Sequence, residues 1–364
     1  EKCDIMKLYG INGQRDTLIV AGNPTLVNYD WFSRANNPTY FGDTWYSVIG
    51  QDSSRIVGYS IINDKLVAHK DTEDNDSTII RTFEYVNNAI TFKTQGSFQA
   101  TGALAKHSFA SFDNEPLYLT VNKNISAITP SDVLGERFSQ ERSYYISPAL
   151  AKEPNLKDAY GIVWDDFYYL AVNDRIYILD SIQPIYEKNT PFSNRQYEGY
   201  YWTGIGARVL WVYNDRLYFG TADGKVKRFF SDSDPWWQDD GVNFPCYTDT
   251  YEIYGNNAEL KKMFRHLAVL LASHTRTGVR IWFKIDGFWE MFFDYDETAD
   301  FIDFSDIDFS KFTFRTDDTP TLAGGKMKIK NVLHTQMRLE NSRNEAFGIY
   351  LAVLKYTQGG EFIK

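Results

Sequence analysis

The stretch Asp215-Arg216-Leu217-Tyr218-Phe219-Gly220-Thr221-Ala222-Asp223-Gly224-Lys225-Val226 decides the fold. It reads as an apolar strand, a tight turn on Ala222-Asp223-Gly224 and a returning strand from Val226. Asp and Gly suit such a turn because they tolerate the φ > 0 conformations that hairpins require. The same shape recurs upstream in Asp64-Lys65-Leu66-Val67, Glu115-Pro116-Leu117-Tyr118 and Asp166-Phe167-Tyr168-Tyr169, and Asp16-Thr17-Leu18-Ile19 opens the series. Taking the third residue of each as an anchor gives Leu18, Leu66, Leu117, Tyr168 and Leu217, spaced 48, 51, 51 and 49 residues apart. Leu18 leads to Leu26 across Gly22-Asn23-Pro24, Leu117 to Ile125 across Asn122-Lys123-Asn124, and Tyr168 to Ile176 across Asn173-Asp174-Arg175. The second repeat is looser, with a polar insertion at Lys70–Ser77 before Ile79. A further short apolar run precedes four of the anchors: Ile56-Val57, Phe109-Ala110, Ile162-Val163 and Val209-Leu210. Short strands ahead of a hairpin, repeated every ~50 residues, are the arithmetic of a β-propeller blade. The sequence therefore predicts an all-β chain with about five blade repeats over residues 1–240.

The rhythm stops after Phe230. Ser231-Asp232-Ser233-Asp234-Pro235 is a breaker cluster, and a domain boundary is expected near 240. Beyond it, Val279, Ile281, Phe283 and Ile285 alternate before Asp286-Gly287 turns the chain into Phe288–Phe293, which predicts a hairpin. Phe347–Tyr356 is strand-like. Leu260–Ala272 carries Leu260, Met263, Phe264, Leu267 and Leu271 at helical spacing, yet it is short and leads straight into the hairpin, so a strand is expected. Residues 241–364 thus predict a β-sandwich-like domain. Within it, Asp294–Asp318 holds nine carboxylates, with Phe301, Phe304, Phe309, Phe312 and Phe314 threaded among them. That mixture is too apolar for a solvated loop and too charged for a core strand. It is expected to be an arm whose phenylalanines meet a neighbouring subunit or another protein.

Composition narrows the function. Lys+Arg is 38 against 48 Asp+Glu, a net charge of −10, which excludes a dedicated nucleic-acid binder that neutralises phosphates. The 364 residues contain no apolar run near the ~20 needed for a membrane-spanning helix, and no membrane anchor is expected. Cys3 and Cys246 lie in different expected domains, in no CxxC or CxxxH, so both are expected to be free thiols.

Chemical motifs are sparse, and neither a cofactor nor a metal is expected. The acidic stretch lacks a DxDxDG loop, and no glycine lies between Asp294 and Asp318 to turn a calcium site. His69, His107, His266, His274 and His334 show no HExxH or HxH and read as packing or surface residues. No GxSxG elbow, P-loop or SxDxGxTW Asp-box is present, and Gly96–Gly102 has no lysine in register. Carboxylate pairs such as Asp165-Asp166 and Asp239-Asp240 read as solvated turns, since glycoside hydrolysis needs two carboxyls held ~5–10 Å apart across a cleft. The clusters Tyr144-Tyr145, Tyr200-Tyr201-Trp202 and Trp236-Trp237 read as packing, because neighbours on a strand face opposite sides.

Several blocks together resemble a known family. They are Ala21-Gly22-Asn23-Pro24, Asn28-Tyr29-Asp30-Trp31-Phe32-Ser33 and Asn37-Pro38-Thr39-Tyr40-Phe41; Arg137–Ile146; Tyr200-Tyr201-Trp202-Thr203; Leu217–Gly224; and Arg338-Leu339-Glu340-Asn341 with Phe347-Gly348-Ile349. The pattern is similar to the phage stabilisation proteins, related to packaged-DNA stabilisation and tail-nozzle proteins of short-tailed bacteriophages, and runs from about residue 15 to the end. The resemblance implies a non-enzymatic virion protein at the tail or head–tail junction, assembled in the host bacterial cytoplasm. Its partners would be further copies in a sixfold or twelvefold ring and other tail, adaptor or portal proteins, with DNA passing through unbound. Family members are expected to begin further upstream, so a blade or its closing strand would be missing here. A negative wall would suit such a conduit by repelling phosphates. Two other classes stay open: a receptor- or glycan-binding propeller, marked by exposed aromatics on one face, and a propeller hydrolase, marked by carboxylates converging on a central cleft.

Overall fold

The computed structural model describes residues 2–10, 16–73, 77–86, 89–98, 101–130, 137–184, 194–229, 237–243, 245–272, 276–298, 321–345 and 347–362. The chain divides into two compact units, Glu1–Phe229 and Phe230–Lys364.

The first unit is a β-propeller of five successive antiparallel sheets. The first four have four strands each and span Ile5–Val48, Ile56–Phe98, Ala110–Glu141 and Tyr160–Thr203; the fifth has three and spans Ala207–Arg228. Strands pair in chain order within every sheet, so each sheet is a simple meander. Four apolar cores lie between consecutive sheets. Ile19 and Ile79 belong to the core of sheets one and two, Val67 and Tyr118 to that of two and three, Leu117 and Leu170 to that of three and four, and Ile178 and Phe219 to that of four and five.

All five anchors lie on the second strand of their sheet. Leu66, Tyr168 and Leu217 point at the preceding sheet. Leu18 has no preceding sheet to meet and is only half-buried. Leu117 is one residue out of register. It faces the following sheet, and Pro116 holds the position equivalent to Leu66. The first hairpin also differs from the sequence expectation: its return strand begins at Tyr29, and Leu26 sits in the turn, held by Asn23, whose Oδ1 accepts the Thr25 and Leu26 amides at 2.9 Å.

The register is set by two-residue turns, of which the sequence reading singles out Asp165-Asp166 as a turn but misses its role. Between the first and second strands of sheets two to five stand Asn63-Asp64, Asp113-Asn114, Asp165-Asp166 and Asn214-Asp215. Both residues of every pair have φ between 45° and 61°. These are two-residue loops with φ > 0 at both positions, the turn whose twist matches that of the strands. Asn and Asp bear this conformation better than other side chains, and glycine better still. Asp166→Gly is therefore expected to stabilise the unit by ~0.5–1 kcal/mol and Asp166→Val to destabilise it by more than that. Urea midpoints decide the matter; equal midpoints for the two variants would exclude backbone strain as the cause.

The sheet interfaces also carry polar groups. Asp30 of sheet one accepts Arg81 of sheet two at 2.5 and 3.3 Å and the Tyr59 hydroxyl at 2.9 Å, with Asp30 and Arg81 both buried. Burial, and secondarily Asp30, pushes Tyr59 well above the usual tyrosine range. Between sheets two and three, His69 lies against the rings of Tyr118 (centroids 4.5 Å) and Phe109 (5.0 Å). Gly58 makes room for this stack, since a Cβ there would stand 2.2 Å from the Phe109 ring. Between sheets three and four, Arg142 clasps Glu115 with two bonds of 2.9 Å and donates to the Arg195 carbonyl at 2.7 Å.

The second unit is a β-sandwich. One sheet runs in the order Cys246–Asp249, Gln336–Asn341, Arg276–Ile285, Phe288–Thr298, and the other in the order Thr321–Val332, Leu260–Leu271, Ile349–Phe362. Phe264, Leu267, Val269, Ile281, Phe283 and Leu339 fill the core between them. Leu260–Leu271 is a strand, as expected, and it buries alternate residues. Lys262 is 1% exposed and donates to three carbonyls, Asn257, Leu260 and Leu333, at 2.6–2.8 Å. A small hairpin pairs Gln238–Asp239 with Val242–Asn243. Cys3 is half-buried and Cys246 is exposed.

Candidate functional site

A cleft of about 420 Å³ opens where the inner strands of the first unit begin. Asp4, Arg55, Asp71, Lys106, Lys157 and Asp158 line it. Three carboxylates face three cations. Lys106 lies 3.1 Å from Asp4, and the Asp71 carboxylate accepts the Arg55 amide at 2.8 Å. Sequence reading missed this convergence because its members are spread from residue 4 to residue 158, with no spacing rule to join them.

Ser60 and His69 form a second constellation. The Ser60 hydroxyl meets His69 Nε2, and Ser60 also lines a cleft of about 320 Å³ with Tyr9, Tyr59 and Phe109. The pair has the residue types of a nucleophile and its base but not the physics. His69 Nδ1 is buried with no hydrogen-bond partner, so no third group orients or charges the ring. Burial, with Lys7 as a lesser cause, lowers His69 to about 3, leaving it too weak a base to draw a proton from a hydroxyl. It packs, as the sequence predicts for this histidine.

The outer faces of the two end sheets of the first unit are largely apolar and uncovered. On sheet one, Met6, Val20, Trp31 and Tyr46 form one cross-strand row, and Leu8 and Leu18 form another. Met6 is 74% exposed, and Tyr46 and Val48, on the strand at the opposite edge, are exposed too. On sheet five, Val209, Trp211, Tyr213, Tyr218 and Val226 share the outer side, with Trp211 stacked on Tyr218 at 5.8 Å. Tyr213 and Val226 are exposed.

A third uncovered face belongs to the three-stranded sheet of the sandwich. Its cross-strand rows are Leu322–Leu270–Leu351, Gly324–Ala268–Val353 and Lys326–His266–Lys355. Leu322, Leu351 and Val353 are exposed. Lys328 and Lys330 continue the cationic part, since the alternation of exposed lysines with buried Met327 and Ile329 puts all three lysines outward.

Of the expected interface residues, Phe301, Phe304, Phe309, Phe312 and Phe314 lie outside the described residues. The beginning of the acidic stretch is corrected: Asp294–Thr298 finish a strand of the four-stranded sheet and are no part of an arm. Asp294 pairs with Arg343 at 3.0 Å and Arg280 at 3.6 Å. In the aromatic clusters, Trp202 touches Tyr169 and Phe229, Tyr201 touches Tyr177 and Tyr144 touches Tyr145, yet all four of these cluster residues are partly exposed, Tyr144 and Tyr145 the most. Among the described residues no helix is long and apolar enough to cross a membrane.

No protein-family model matches this chain, and no curated protein matches it. Among solved structures it is similar to BamB from Moraxella catarrhalis, with 13% identity and a TM-score of 0.38 over 62% of this chain and 57% of that one. The match thus spans little more than half of that protein. It is similar also to an exo-β-1,3-galactanase from Phanerochaete chrysosporium, at 9% identity and a TM-score of 0.31 over 96% and 95% of the two chains. The WD40 domain of SCAP from fission yeast gives 9% identity and a TM-score of 0.34 over 93% and 84%.

Proposed function

We propose that this chain is a non-enzymatic structural protein of a tailed-bacteriophage virion, one subunit of a tail or head–tail ring that retains and conducts packaged DNA. The observation that carries the reading is the pair of uncovered apolar faces at the two ends of the five-sheet stack. Contiguous apolar surface of this kind marks protein contacts on a soluble molecule. Two different faces on one subunit suit the head-to-tail contacts that close into rings. The sequence resemblance supplies the phage context, and the net charge of −10 suits a wall past which DNA slides. Mass photometry and negative-stain images of the purified chain test it. A six- or twelve-membered ring is expected, and a monomer throughout the micromolar range would sink the proposal.

A propeller hydrolase is the second reading, favoured by Asp4, Asp71 and Asp158 lining one cleft. A glycan panel separates the two. No turnover is expected; cleavage lost on Asp158→Asn would replace the structural reading with the enzymatic one.

A further inference from the structure

We propose that the outer face of the three-stranded sandwich sheet receives residues 299–320 of a second copy of this chain. The inference rests on the ring reading and names the contact that would build it.

The face combines two chemistries. At one end stand the aliphatic rows of Leu270, Leu322, Leu351 and Val353. At the other, Lys326 and Lys355 flank His266 directly across the strands, with Lys328, Lys330 and Arg265 beside them. Four lysines and Arg265 thus gather positive charge on one side of a single sheet, a field that draws an anionic partner. Lys328 lies against Lys330 and holds it below the usual lysine range. No ion pair joins these lysines to a carboxylate among the described residues. In sequence, Glu361 near the end of the last strand is the sole acidic residue of the three strands. His266 Nδ1 is buried and lacks a hydrogen-bond partner. In a chain with ten more acidic than basic residues, such a concentration of positive charge on one face suits an anionic partner.

Residues 299–320 have the matching composition. They carry Asp300, Asp303, Asp306, Asp308, Asp317 and Asp318 against Lys311 and Arg315, together with five phenylalanines. Rings can cover the leucine rows while carboxylates meet the lysines at the rim. A nucleic-acid backbone would satisfy the lysines but leave the leucines wet, so an acidic, aromatic polypeptide is the better fit. A ring needs two unlike patches that complement each other on successive subunits. A basic, aliphatic face and an acidic, aromatic segment are such a pair.

Photocrosslinking tests this on the full chain. Phe309 is replaced by p-benzoylphenylalanine, and copies of natural and heavy isotopic composition are mixed. Crosslinked peptides joining residue 309 of one isotope to strand Thr321–Val332 or Ile349–Phe362 of the other are expected. Their yield should fall by about tenfold or more in Lys326→Glu/Lys328→Glu/Lys330→Glu, as for three charge pairs reversed at a rim. These side chains are exposed, so an unchanged melting temperature confirms that the variant is folded. Crosslinks confined to one isotope, or indifferent to the charge reversal, overturn the inference. If mass photometry then still shows a ring, the assembly reading stands without this contact; a monomer with no mixed-isotope crosslink overturns both.

Discussion

Replacing Arg81 with methionine is expected to cost the first unit ~3–5 kcal/mol of stability, the usual penalty for leaving a buried charge without its partner. Asp30 is fully buried and, among the described side chains, would keep the Tyr59 hydroxyl as its donor. Arg81 also donates to Ser47 at 3.2 Å and lies 4.6 Å from the Phe92 ring centroid, so methionine preserves part of the packing while deleting the charge. The informative companion is Asp30→Leu/Arg81→Met. With both charges gone, the Tyr59 hydroxyl loses its acceptor but no unpaired charge remains, and the double variant is expected to be more stable than Arg81→Met alone. Urea denaturation of the natural chain, Arg81→Met, Asp30→Leu and the double variant is the measurement. A single-variant loss below ~1 kcal/mol, or losses that simply add, would show that the pair is solvated or weakly coupled.

Acid should weaken the same unit through His69. The imidazole is held at about 3 in the folded chain, whereas an unfolded histidine titrates near 6.5. Between these values the unfolded chain binds a proton that the folded chain refuses. The contribution is therefore complete above pH 6.5 and is lost as pH falls towards 3, at up to ~1.4 kcal/mol per pH unit. Going from pH 7 to pH 4 should cost roughly 3 kcal/mol from this group alone. Other groups titrate in the same window, so the comparison is with His69→Phe. That variant loses the Ser60 contact at every pH, but its stability should fall by roughly 3 kcal/mol less over the interval. Parallel pH profiles for the two proteins would mean that His69 is protonated while folded.

Much of the first unit is legible from the beat of Leu18, Leu66, Tyr168 and Leu217, because sheets two, four and five present an apolar residue to the preceding sheet at the same point of the second strand and Leu18 holds that point in sheet one. The slip at Leu117 has a plain cause. Glu115 was aligned with the acidic turn residues Asp64, Asp166 and Asp215, whereas the true turn pair is Asp113-Asn114. Adjacent carboxylates at Asp165-Asp166 look like solvated loop in a linear reading; only paired φ values reveal them as the device that fixes register. Asp30 and Arg81 are 51 residues apart, and nothing local announces their meeting. The basic face could have been read in advance: Lys326, Lys328 and Lys330 alternate with Met327 and Ile329, a period of two that puts every charge on one side of a strand.

The division of the propeller's apolar interior into four separate slabs makes the unit behave mechanically as a laminate. Each sheet is glued to the next by its own layer, and strength passes serially from one layer to the following one. The two end sheets are held by one layer apiece and the three inner ones by two. Local opening is therefore cheapest at the ends and dearest in the middle. Damage to one layer leaves the others intact, so the stack yields leaf by leaf from its edges. A copy laid against an end sheet would add a layer and turn the weakest leaf into an interior one.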